Sequence, residues 1–145
     1  MASLRQFLLD KGYKRIRLHS TNTNHLEINA VLNGVHGTFI LDTGASSTCI
    51  DFTAAERYHL LAEDSEVRAA GAGNSSMHTQ LAQGNQLKIG QWERKDWSVV
   101  LFDLSHVNNA LREHQANEVD GIIGADVLEA GKGIIDYKYK CLYLK

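Results

Sequence analysis

FILDTGASST, residues 39–48, is an apolar run that halts on a carboxylate. Phe39, Ile40 and Leu41 read as the end of a buried strand, and Gly44 with Ala45 lets the backbone turn and admits a close neighbour. An acid in that place needs a reason, because burying a lone carboxylate raises its pKa or demands a partner. Asp42 either caps its own turn or is put to use.

The residues upstream say how the chain arrives there. Leu26, Ile28, Ala30 and Leu32 alternate with other residues up to Asn33-Gly34, and a second run leads directly to Asp42. Asn-Gly between two such runs is a strong hairpin signal, so the acid is expected where a hairpin arm ends. Nearer the start, Ser3 is placed to cap a short helix through LRQFLLDK and Gly12 to end it. Residues 1–22 are expected to be a lead-in packed on a domain spanning 23–145.

Downstream, FTAAERYHLLAED reads as a strand end and a turn or two of helix. EVRAAGAGNSSMHTQLAQGNQLKIG reads as strands around a small-residue tip that includes Gly71, Ala72, Gly73 and Asn74. DWSVVLFDL predicts a strand, SHVNNALREHQ a helix capped by Ser105, and VDGIIGADVLEAGKGIIDYKYKCLYLK a strand, a helix and a final β pair. With no proline, repeat or low-complexity stretch, no linker divides the chain.

Composition narrows the function classes. At 145 residues, one domain with a sizeable core is expected. A 43% hydrophobic and 22% charged composition is ordinary for a soluble globular protein, and a net charge of −2 gives no case for nucleic acid or an anionic membrane. Two cysteines, Cys49 and Cys141, are too few for a disulfide scaffold and are expected to be reduced. No apolar run approaches the roughly 20 residues that span a bilayer. The stretch FLL, followed by Asp10 and Lys11, is too short for a secretory leader, so a cytoplasmic protein is expected.

FILDTGASST and VDGIIGADVL, residues 119–128, have to be read together. The pair resembles the retropepsin-like aspartic proteases, and the leading helix with Gly12-Tyr13 before a basic strand resembles their bacterial single-domain members. Those proteins carry an Asp-Thr-Gly-Ala loop, a flap hairpin, and a later apolar-apolar-Gly strand crossing behind the loop. The resemblance runs from about Leu26 to the end. It implies a mostly β, closed retropepsin-like barrel with one lobe per chain, acting as an aspartic endopeptidase on extended peptide. It implies Asp42 as the catalytic acid, Thr43, Gly44 and Ala45 as its loop, Gly71, Ala72, Gly73 and Asn74 as the substrate-covering flap, and no cofactor.

The chemistry accounts for these residues. Peptide hydrolysis without a metal or a covalent nucleophile needs a water deprotonated on one side and a carbonyl oxygen protonated on the other, which two carboxylates sharing one proton provide. This chain holds one Asp-Thr-Gly. Asp120-Gly121 precedes its apolar run, where the motif demands the reverse order. A C2 homodimer bringing Asp42 to its own copy would complete the pair, with Thr43 by resemblance bonding across the axis. The rival readings are a noncatalytic dimerisation or peptide-binding domain of the same fold, and a monomer completed by another protein.

Other residues read more plainly. Ser46 and Ser47 stand where retroviral enzymes carry acids, and Ala125 stands where they place an arginine tied to those acids; the two changes match each other. Asp126 is expected to cap the helix before VLEA, and Asp51 and Asp136 to be solvated or turn acids. The seven histidines show no metal spacing; His106 and His114 are expected on a helix surface, and Trp92 and Trp97 in the core or an interface.

Overall fold

The computed structural model describes residues 2–64 and 78–145. Ser3 Oγ accepts from the Gln6 amide at 3.1 Å and starts α1 (Leu4–Asp10), which ends before Gly12 at φ +92°. Leu8 is buried from this helix and packs with Cys141 and Tyr143. β1 (Lys14–Arg17) pairs antiparallel with the last strand, β11 (Cys141–Leu144), whose other edge takes β10 (Ile134–Asp136). The lead-in is thus joined to the chain's far end by a small three-stranded sheet.

The predicted hairpin is β3 (Leu26–Leu32) and β4 (Val35–Leu41), with β2 (His19–Ser20) paired on β3. Leu26, Ile28, Ala30 and Leu32 are all buried, as their alternation predicts. Asn33 at φ +51° and Gly34 at φ +83° supply the two left-handed positions that a tight hairpin turn requires. Asn33 also anchors the tip: its amide nitrogen donates to Tyr58 O and Asn85 Oδ1, each at 2.9 Å.

The remaining strands are β5 (Cys49–Asp51), β6 (Ala62–Asp64), β7 (Gln80–Ile89), β8 (Trp92–Phe102) and β9 (Gly121–Ile123). They run in the order β2-β3-β4-β9-β5-β8-β7-β6, and a further β3–β7 pairing closes six of them into a barrel. Inside lie Ile28, Leu32, Phe39, Ile50, Tyr58, Leu87, Ile89, Leu101 and Ile123, each at most 1% exposed. β6 and β7 pair as far as Asp64 and Gln80, and the predicted tip Gly71, Ala72, Gly73 and Asn74 lies outside the described residues.

Two short helices complete the chain: α2 (Ser105–Glu113) and α3 (Ala125–Ala130). Ser105 does not cap α2. It is the first helical residue, and its amide instead donates to Asp103 Oδ1 at 2.8 Å, a bond that holds the Asp103 carboxyl below the usual carboxylate range. Asp136 is the expected turn acid, accepting from the Lys138 and Tyr139 amides. Asp51, read as a solvated or turn acid, is buried. Its carboxylate accepts from Thr53 Oγ1 at 3.0 Å and from the Leu104 amide at 3.4 Å, pinning the end of β5 to the start of α2. Both cysteines are free and buried.

Candidate active site

The site is built by the wedging of one strand between two others. β9 lies parallel to β4, with Ile40 opposite Ile122 and Leu41 opposite Ile123, and antiparallel to β5 on its other side. Residues 42–48, which join β4 to β5, must therefore arch over the end of β9. The Asp42 amide donates to Ile123 O at 2.9 Å, the Ala125 amide to Ala45 O at 2.7 Å, and the Gly124 amide to Thr48 Oγ1 at 3.2 Å. This is the crossing behind the loop that the two motifs predict together. Gly124 is required by space: a Cβ there would lie 2.6 Å from Ala45 O and 2.8 Å from Ser47 O.

Within the arch, Asp42 is half-buried, and its Oδ1 accepts from the Gly44 amide at 2.8 Å while its backbone oxygen accepts from the Ala45 amide at 3.2 Å. The carboxylate does hold its own turn, which leaves its second oxygen for other chemistry. Thr43 and Gly44 are exposed, and the Thr43 hydroxyl makes no hydrogen bond among the described residues. Asp42 and Thr43 border a hollow of about 250 Å3 with Asn24, His25, Ile40, Ile135 and Tyr137.

The loop's far end is locked by an acid that sequence reasoning assigned otherwise. Asp126 is not the N-cap of α3; Gly124 holds that position. The Asp126 carboxylate reaches instead to β5's approach, accepting from the Thr48 amide at 3.0 Å, from Thr48 Oγ1 at 2.8 Å, and from the Val127 amide at 2.9 Å. Nothing local in the sequence could reveal a partner 78 residues away. Asp120, the weak echo of the motif, is engaged elsewhere: Tyr58 Oη donates to it at 2.6 Å, and Arg57 pairs with it. Burial, and then Asp120, push the Tyr58 hydroxyl upward.

The thiol near the loop is inert. Burial, followed by the Asp126 and Asp42 charges, pushes the Cys49 thiol up to about 12, which leaves it protonated and a poor nucleophile. Among the described residues no cluster of His, Cys, Asp or Glu is arranged to hold a metal ion, and no helix is long and apolar enough to cross a membrane.

A closed barrel whose Asp-Thr-Gly loop arches over an Ile-Ile-Gly strand defines the retropepsin-like fold, the aspartic protease class. The family described as Aspartyl protease matches residues 28–127, and the chain belongs to it. The structure of a retropepsin-like aspartic protease from Rickettsia conorii is similar, with TM-score 0.62 and 20% identity over 91% of this chain and 90% of that one. The retroviral protease-like domain of Ddi1 from Leishmania major gives TM-score 0.55 and 19% identity over 83% and 88%. The EIAV protease complexed with the inhibitor HBY-793 gives 0.52 and 16% over 71% and 84%. Comparison with curated proteins gave no match.

Proposed function

We propose that the protein is an aspartic endopeptidase working as a C2 homodimer, in which two Asp42 carboxylates share one proton and activate a water between them. The observation that carries this reading is a half-buried carboxylate at the tip of β4, with one oxygen committed to the Gly44 amide and an exposed, unpaired Thr43 beside it. A single carboxylate cannot act as base and acid in the same step. Two held about 3 Å apart cannot both ionise, so one remains a base while the other keeps a proton to give.

The steps then balance. One Asp42 takes a proton from water as its oxygen adds to the scissile carbonyl, and the other protonates the carbonyl oxygen. The tetrahedral intermediate then collapses: one of its hydroxyls returns a proton to the Asp42 that had given one, the C–N bond breaks, and the amine leaves with the proton that the other Asp42 took from water. Thr43, with its hydroxyl free, is suited to bond to the facing loop, and the family's use of it supports that role. Gly71, Ala72, Gly73 and Asn74 are proposed as the flap that covers bound peptide as an added strand.

The test is Asp42→Asn against wild type, each incubated with a randomised peptide mixture from pH 3 to 8 and read by mass spectrometry. Cleavage present in wild type and reduced by at least about 10³-fold in the variant is expected. Equal cleavage by both proteins would refute the assignment. Peptide left whole by wild type at every pH would favour the noncatalytic binding domain instead.

A further inference from the structure

A second hollow, of about 560 Å3, adjoins the one at Asp42. One wall is the loop 22–25 and the other is a face of α2. Val107, Ala110 and Leu111 supply the apolar part of that face, flanked by His106 and His114. The two hollows are stations of one groove. Asn24 and His25 line both, and Ile40, which borders the Asp42 hollow, packs on Leu111, which borders the other.

We propose that the groove on α2 receives an apolar side chain of the peptide substrate, lying outside the two residues that flank the cleaved bond, and selects for it. The proposal rests on the protease reading for its occupant and adds a specificity determinant to it. An extended peptide advances about 3.3 Å per residue and turns alternate side chains to the same side, so a strand crossing Asp42 delivers a further side chain to the next hollow. That hollow is roomy because Ala110 is small and faces out. Its apolar part favours a large aliphatic or aromatic group. Asn24 and the imidazole of His25, the latter held by Thr23 Oγ1 at 2.6 Å, are polar groups within reach of the peptide backbone.

A metal is a poorer occupant. His106 and His114 are eight residues apart, about 12 Å along a helix axis, too far for one ion.

Binding and cleavage are measured separately. In the Asp42→Asn background, fluorescein-labelled peptides selected from a randomised library are compared by anisotropy with versions carrying glycine at each position in turn. One outer position should prefer Leu or Phe to Gly by about tenfold in Kd. Ala110→Trp, which fills the groove, and Ala110→Glu, which charges it, should each collapse that ratio towards one; Ala110 is exposed, so both variants fold. A preference that survives both substitutions, or no outer preference at all, overturns the proposal. If the preference appears and obeys Ala110 while wild type cleaves nothing, the groove stands and the protease reading falls.

Discussion

Asp126 shows how far a side chain's role lies from its sequence neighbourhood. Thr48 is 1% exposed, and Asp126 satisfies both its amide and its hydroxyl. Removing the carboxylate leaves these two donors and the Val127 amide without their acceptor, each buried one costing about 1–3 kcal/mol. Asp126→Ala should therefore lower the urea midpoint and cut kcat, because the Asp42 loop loses its far anchor. Asp126→Asn keeps one acceptor oxygen and should restore part of both. An unchanged urea midpoint in both variants, with KM and kcat also unchanged, would reduce Asp126 to a surface acid. The sequence placed this residue at a helix start correctly, yet gave it the wrong partner. Asp51 was misread for the same reason, since the amide of Leu104 that it accepts from is distant in the chain. The placement of Asp42 was legible because its setting is local: an apolar strand, an acid, and a glycine whose amide bonds back to that acid.

At the scale of elements, β9 is the piece on which the site depends. It is short, and each side presses on it: a Cβ at Gly121 would lie 2.1 Å from Cys49 O, a backbone atom of β5. Gly121→Ala must push β5 away from β9 and should cost more than about 3 kcal/mol in a urea titration, beyond an ordinary overpacked core. Gly34→Ala is the contrasting case. Its φ of +83° strains any side chain, but nothing lies within 4 Å, so about 1–2 kcal/mol is expected. A smaller loss at Gly121 than at Gly34 would mean that β9 is not held as tightly as its spacing indicates. The hairpin β3–β4, β9, α3 and the pair β10–β11 were all legible, because turn chemistry and apolar runs are local signals. The pairing of β1 with β11 was not, since it joins residues at opposite ends of the chain. Nor was the irregularity in β7, where Gly84 at φ +75° sits in a register shift between Ala82 and Asn85.

For the whole molecule, one Asp-Thr-Gly per chain makes the proposed activity a matter of concentration. Specific activity should fall on dilution through the dimer Kd. Thr43→Ala, by deleting two symmetry-related hydrogen bonds worth about 1 kcal/mol each, should raise that Kd about 30-fold. Full activity of a sedimenting monomer at nanomolar concentration would exclude the two-copy site. The same wedged strand that builds the loop's floor also sets when the loop can exist. β4 and β5 leave a gap that only β9 fills, and Thr48 must wait for a partner 78 residues later. During synthesis the Asp-Thr-Gly segment emerges well before β9 and stays without its floor until that strand follows. Closing so long a loop is slow, because its entropy is lost before any contact repays it. Asp42 is thus kept from its place in the arch until the barrel closes, and on the proposed protease reading a chain made only as far as the motif would lack the means to cut its neighbours.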